Sequence, residues 1–214
     1  MAGQRRNRAG SETRAAILEC AIAAILDHGI NGLTLQDVAR RAEISYGNLT
    51  HHYPSRDLLI TAVLDGLELR YQEGFGAFAQ ATASDPASPV DRLIDWLLDD
   101  AVTRETAGIF LELWACATRD PIVAVRVNRL YDAAVDACIH ALGVSPSATG
   151  AQGLREALYL LGTVVEGSSA LFSARGAQPD LYRAFRRDAL ALLRPLLADR
   201  LASARAAAAG TALS

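Results

Sequence analysis

The most constraining stretch of this 214-residue chain lies between Gly29 and Pro54, where turn formers and helix caps crowd around two short segments. Gly29 supplies a helix stop, and Asn31-Gly32 makes a turn. Thr34 is placed to cap one helix, with Asp37 three residues on in capping-box position. Ser45 is placed to cap the next. Pro54 forces that helix to end near Tyr53, because proline lacks the main-chain donor and disfavours helical geometry in the residue before it. What fits between these marks is a pair of short helices, Thr34–Arg41 and Ser45–Tyr53, joined by a tight turn. Ahead of them, a helix capped at Ser11 would put Ile17, Ala21, Ala24 and Ile25 on one face. This is the layout of a helix-turn-helix, whose second short helix enters the major groove of DNA.

The residues of that second short helix suit the task. Tyr46, Asn48, Thr50, His51 and His52 carry donors and acceptors, Gly47 lets the backbone come close to DNA, and Leu49 is the one strong apolar anchor. Thr34, Gln36 and Ser45 flank it as further candidate contacts, and Arg56 is expected to clamp a phosphate. A metal site at His51-His52 is disfavoured, since neighbouring helical residues point about 100° apart and cannot share one ion. Arg5, Arg6 and Arg8 form a small basic arm, open to two readings: a solvated tail, or an arm that adds phosphate or minor-groove contacts.

The rest of the chain also has helical periodicity, and no stretch shows sustained strand alternation. After Ser55, Leu59, Val63, Leu67, Tyr71 and Phe75 recur every four residues as one stripe. Residues 80–89 have loop composition, and Ser88-Pro89 then opens a helix that buries Val90, Leu93, Ile94, Leu97, Leu98 and Ala101. Asp99-Asp100 is expected at its exposed end. A helix holding Trp114 starts near Glu105, and another runs from Asp120-Pro121 to a stop at Gly143. Two long helices follow, over residues 148–174 and 179–204, with a bend at Pro195 and a fraying alanine-rich end. The expected fold is all-α, of about nine helices: an N-terminal three-helix DNA-binding domain (residues 1–55) and a C-terminal helical ligand-binding and dimerisation domain (residues 56–214).

Charge says little. The net charge of −3 hides an asymmetry, with seven Arg against six acids in residues 1–60 and 14 Arg against 18 acids beyond; no lysine is present. Three well-separated cysteines without a Cys-x-x-Cys pair argue against a disulfide framework and a zinc site. No uninterrupted apolar run of membrane-spanning length and no signal peptide are evident, so the expected setting is cytoplasmic, without a membrane partner. No nucleophile elbow, phosphate loop or paired carboxylates suggest an enzyme. A helical scaffold, or a small-molecule binder without DNA readout, is the alternative, but it leaves the polar third helix unexplained.

Residues 13–59 resemble the DNA-binding domain of the TetR family of transcriptional regulators. The resemblance rests on Ile17-Leu18 and Gly29, on Leu33 through Ala39, on Ile44 through Leu49, and on His51-His52-Tyr53-Pro54-Ser55-Arg56-Asp57-Leu58-Leu59. The stretch from Trp114 to Pro121, with Arg129-Leu130-Tyr131, is similar to the BetI-like branch. Glu43 stands where glycine is common in the turn and must either strain the backbone or alter the turn. Thr50 stands where tyrosine is frequent. The resemblance implies a homodimer formed through the last two long helices and a palindromic double-stranded DNA operator, with repression as the usual outcome. It also implies a small-molecule effector that changes the spacing of the reading heads, with no other cofactor and no metal.

For that effector the sequence offers Trp96, Trp114, Tyr131, Tyr159 and Phe172 as lining residues. Glu112 and Glu166 are candidate polar anchors and Cys116 a candidate pocket thiol. Glu166 follows the apolar run Leu160–Val165, where a carboxylate needs a partner. A plain helical core would use the same aromatics.

Overall fold

The computed structural model describes residues 2–82, 88–173 and 179–211; among them are nine α-helices and no strand. They are α1 (Ala2–Gly32), α2 (Leu35–Arg41), α3 (Tyr46–His52), α4 (Arg56–Thr82), α5 (Pro89–Ala101), α6 (Arg104–Ala117), α7 (Pro121–Ala141), α8 (Ala151–Phe172) and α9 (Pro179–Thr211).

Packing divides the chain into two compact units, and not at residue 55. The first joins Met1–Leu69 to Gly108–Asn128; the second joins Arg70–Ala107 to Arg129–Ser214. The shifted boundary has a simple cause. The first half of α4 carries Leu59, Ile60, Val63, Leu64 and Leu67, all buried, and Ile109, Phe110, Leu113, Val123 and Val127 are buried as well. Three helices of the length of α1–α3 cannot bury enough apolar surface alone, so the domain is completed by residues distant in sequence.

In the first unit α1 begins at Ala2, not at Ser11, and its expected face is buried at Ile17, Ala21, Ala24 and Ile25. The arginine- and alanine-containing start is a good helix former, which lets the helix run back through the expected cap. The side chains of the basic arm lie outside the described residues. By length and composition Gly10–Gly32 is apolar enough to cross a membrane, contrary to expectation, but its apolar face is spent in this core. The expected stop holds: Gly29 sits at φ 72°, ψ 168°, a backbone geometry available to glycine and costly to other residues.

In the second unit α5, α8 and α9 pack together around Leu93, Ile94, Leu98, Leu154, Leu158, Leu161, Leu193 and Leu197. Asp120 caps α7 by accepting from the main-chain N–H groups of Ile122 and Val123, and Gly143 follows the helix end at φ 77°. The loop expected over residues 80–89 is shorter than its composition suggests, since α4 continues to Thr82; residues 83–87 lie outside the described set. Likewise α9 does not stop near Ala204. It continues to Thr211 with Leu201 and Ala204 buried, because alanine is the strongest helix former. The expected start of α8 at Ala148 moves to Ala151, since Gly150 takes φ 91°; Ala174, its expected end, lies outside the described residues.

Candidate nucleic-acid interface

The reading element is held in place by side-chain caps at both short helices. The Thr34 hydroxyl oxygen accepts from the Asp37 N–H at 3.2 Å, and the Ser45 hydroxyl oxygen accepts from the Asn48 N–H at 3.1 Å. Each satisfies an orphan donor of a helix N-terminus. The Asp37 carboxylate does not complete a capping box. It accepts from Arg40 (2.5 Å) and Arg41 (2.7 Å), whose guanidinium groups hold its pKa below the usual carboxylate range. Arg41 also donates to Asp27 on α1 at 2.8 Å, tying α2 back to the supporting helix. The turn between α2 and α3 answers the question Glu43 raised: it keeps its geometry, and Glu43 takes φ 55° to allow it.

On α3, Leu49 and Tyr53 are buried one turn apart, which turns the opposite face outward. Tyr46, Gly47, Asn48 and His51 are exposed, and Thr50 and His52 are half-buried. Thr34, Gln36 and Ser45 are exposed as well. The Thr50 hydroxyl donates to the Gly47 carbonyl, which leaves it as an acceptor for an outside partner. Loss of solvation, with Arg14 and His51 nearby, holds the His52 imidazole below its ordinary pKa.

Arg56 is placed differently from the free phosphate clamp expected. Its Nε–H donates to the Leu33 carbonyl at 3.1 Å and its Nη2–H to the Ile30 carbonyl at 2.5 Å. The third nitrogen, Nη1, lies 3.9 Å from Asp57. The guanidinium thus caps the end of α1 just ahead of Thr34. The same Ile30 peptide is held from its other side. Its N–H donates to Glu112 Oε2 at 2.9 Å, and that carboxylate sits where a Cβ on Gly29 would come within 2.7 Å of it. Glu112, a candidate effector anchor, is therefore occupied as a main-chain acceptor in the DNA-binding unit. No sequence pattern links residues 30, 56 and 112; only the fold brings them together.

The effector candidates divide between the units. Glu112, Trp114 and Cys116 belong to the first; Trp96, Tyr131, Tyr159, Glu166 and Phe172 belong to the second. All three cysteines are free, and burial raises the Cys116 thiol. Within the second unit the partners differ. Glu166 accepts from the Tyr131 hydroxyl, the kind of partner its apolar setting called for. Tyr159 donates to Asp132 at an exposed position. Phe172 packs against Tyr182 and Phe185, with ring centroids 5.0 and 5.1 Å apart. Trp96 lines a cleft of about 360 Å³ together with Arg70, Tyr71, Gly74, Asp100, Thr103, Glu105 and Thr106. Asp100 is thus not a free helix end as expected. It is half-buried and accepts from the Tyr71 hydroxyl at 2.8 Å and the Thr106 hydroxyl at 3.2 Å. The signal that could have found it was Tyr71, a polar-tipped aromatic within an otherwise apolar stripe.

Comparison with known proteins agrees with this geometry. Residues 17–63 match the family model described as bacterial regulatory proteins, tetR family. An uncharacterised helix-turn-helix transcriptional regulator from the dhlA 5′ region of Xanthobacter autotrophicus is 29% identical over 155 residues, 72% of this chain and 76% of the relative. The transcriptional regulator BetI of Burkholderia cenocepacia is 25% identical over 162 residues, 72% of this chain and 84% of that protein. Among solved structures, a transcriptional regulator from Saccharomonospora viridis in complex with choline superimposes with a TM-score of 0.63. It is 21% identical and covers 85% of this chain and 97% of its own.

Proposed function

We propose that this chain, a transcriptional regulator of the TetR family, represses transcription by binding a pseudo-palindromic operator as a homodimer and releases it when a small organic molecule occupies the helical second unit. The observation that carries the reading is α3 itself. A seven-residue helix is anchored by Leu49, capped by Ser45, and turns Tyr46, Gly47, Asn48 and His51 to solvent as one polar face. A helix with no partner of its own would not retain that face beside a single apolar anchor.

A dimer is supported by the outer face of α8 and α9. Leu160, Val164, Phe185, Ala189, Leu192 and Leu196 line a groove of about 400 Å³, and Leu160 and Leu192 are respectively 47% and 75% exposed in the single chain. An apolar groove of this kind along two long helices suits the same two helices of a second copy. The choline held by the Saccharomonospora viridis regulator supports a small organic effector.

Selection of bound sequences from random double-stranded DNA tests the reading. The expected result is an inverted repeat with half-sites spaced by whole helical turns, about 10–10.5 base pairs or a multiple. Recovery of unrelated sequences, bound with the salt dependence of non-specific association alone, would overturn it.

A further inference from the structure

The geometry points to the cleft between α4, α5 and the start of α6 as a site for a small organic cation. The inference rests on the regulator reading for its consequence, though not for its chemistry. The lining carries three formal charges: Arg70, Glu105 and Asp100. Arg70 and Glu105 cancel each other, with the Arg70 guanidinium 2.5 Å from the Glu105 carboxylate. Asp100 is left over. Its side-chain partners are two neutral hydroxyls, Tyr71 and Thr106, and among the described residues no guanidinium or imidazole is paired with it.

A half-buried carboxylate held by neutral donors alone remains uncompensated, and that charge is felt most strongly on the side facing the cleft. Both hydroxyls are spent on it, so the neutral donors nearest the carboxylate are not free for a ligand. Burial and the neighbouring Asp100 push the Tyr71 phenol well above its usual range, so Tyr71 stays a donor and adds no second negative charge.

The wall beside Asp100 is aromatic. The Trp96 indole lies against Gly74, where a Cβ would come within 3.3 Å of its Cζ2, and it is braced by Phe75 and Phe78 with ring centroids 5.0 and 6.0 Å away. Indole is the strongest cation–π partner among the side chains. One net negative charge beside an indole, in a cleft of about 360 Å³, suits a compact ammonium group with apolar substituents. A metal ion fits less well, because no group of three or more metal-ligating side chains occurs among the described residues. Rim and wall thus divide the work: Asp100 supplies charge and Trp96 shape.

The test uses the full chain carrying Trp114→Phe, which leaves Trp96 as the sole tryptophan, and follows its fluorescence. Tetramethylammonium chloride is titrated against tert-butanol, its nearly isosteric neutral counterpart. The expected result is a saturable change with tetramethylammonium and none with tert-butanol at equal concentration. Asp100→Asn, which keeps an acceptor and removes the charge, is expected to weaken tetramethylammonium about tenfold or more. Equal response to both probes, no saturable change, or undiminished binding by Asp100→Asn would overturn the assignment. If Asp100→Asn does not fold, the pair of probes on the Trp114→Phe chain decides alone. Operator binding without any probe tests the regulator reading separately, so either can fail while the other stands.

Discussion

At the residue scale the interface shows three kinds of side chain with different consequences. Asn48 is exposed, and its main-chain N–H is already spent on Ser45, so its amide is free to pair with a base edge. A bidentate base contact discriminates by ~1–3 kcal/mol. Asn48→Ala is therefore expected to lower the ratio of specific to non-specific binding by that amount, read by competition against random duplex. Glu43 carries a cost instead of a contact. At φ 55° a side chain costs ~1–2 kcal/mol, while glycine loses ~0.5–1 kcal/mol in extra chain entropy. Glu43→Gly is expected to raise stability by roughly 0.5–1 kcal/mol, seen as a higher denaturant midpoint at unchanged slope.

His52 adds a pH dependence of defined sign. Desolvation keeps it neutral in the free protein below the usual histidine range, and a phosphate near it would raise its pKa in the complex. Binding then takes up a proton, so operator affinity rises as pH falls from about 8 to about 6, by at most about tenfold per pH unit for each head. His52→Gln is expected to flatten that profile; an unchanged profile would remove His52 from the interface.

At the element scale the junction of α1 with α2 depends on two side chains from other helices. The Ile30 peptide donates to Glu112 on α6 and accepts from Arg56 on α4, and Ile30 itself is buried. Leaving a buried main-chain group unpaired costs ~1–3 kcal/mol. Glu112→Ala is expected to destabilise the first unit by that amount, while Glu112→Gln, which keeps an acceptor oxygen, recovers much of it. Arg56→Ala should do similar harm, and because both grip one peptide the double mutant should depart from additivity. Thermal unfolding of the four proteins reads this directly.

These elements also mark where sequence reasoning succeeds. Thr34, Ser45, Asp120, Gly29 and Gly143 act within a few residues of themselves, so local sequence is enough to read their roles. The Ile30 clasp, the Asp100 cleft and the recruitment of Gly108–Asn128 into the first unit join residues tens of positions apart. Periodicity carries no record of such pairings. Misplaced ends have a related cause: Ser11 and Ala204 have the right local chemistry for a boundary, but neighbouring alanine and arginine favour continuing the helix.

At the scale of the whole molecule, a face that touches no DNA should decide whether DNA is bound. Specific complexes form at ~10⁻⁸–10⁻¹¹ M, whereas non-specific binding lies near ~10⁻⁴–10⁻⁶ M. If two equal heads share the specific free energy, one head alone falls close to the non-specific range. The operator is then held only because binding of the first head places the second at millimolar effective concentration. Leu192 offers the cleanest way to test this, since its high exposure in the single chain means a polar replacement leaves the fold of the unit intact. In a dimer the same position would be buried, and a guanidinium there would have no partner among Leu160, Val164 and Leu196. Leu192→Arg is expected to sediment as a monomer with unchanged helix content. It should lose the operator complex at concentrations where the parent is saturated, and keep only weak, strongly salt-dependent binding. A variant that stays dimeric would move the dimer interface elsewhere, and a monomer with full affinity would mean that one α3 suffices to read the site.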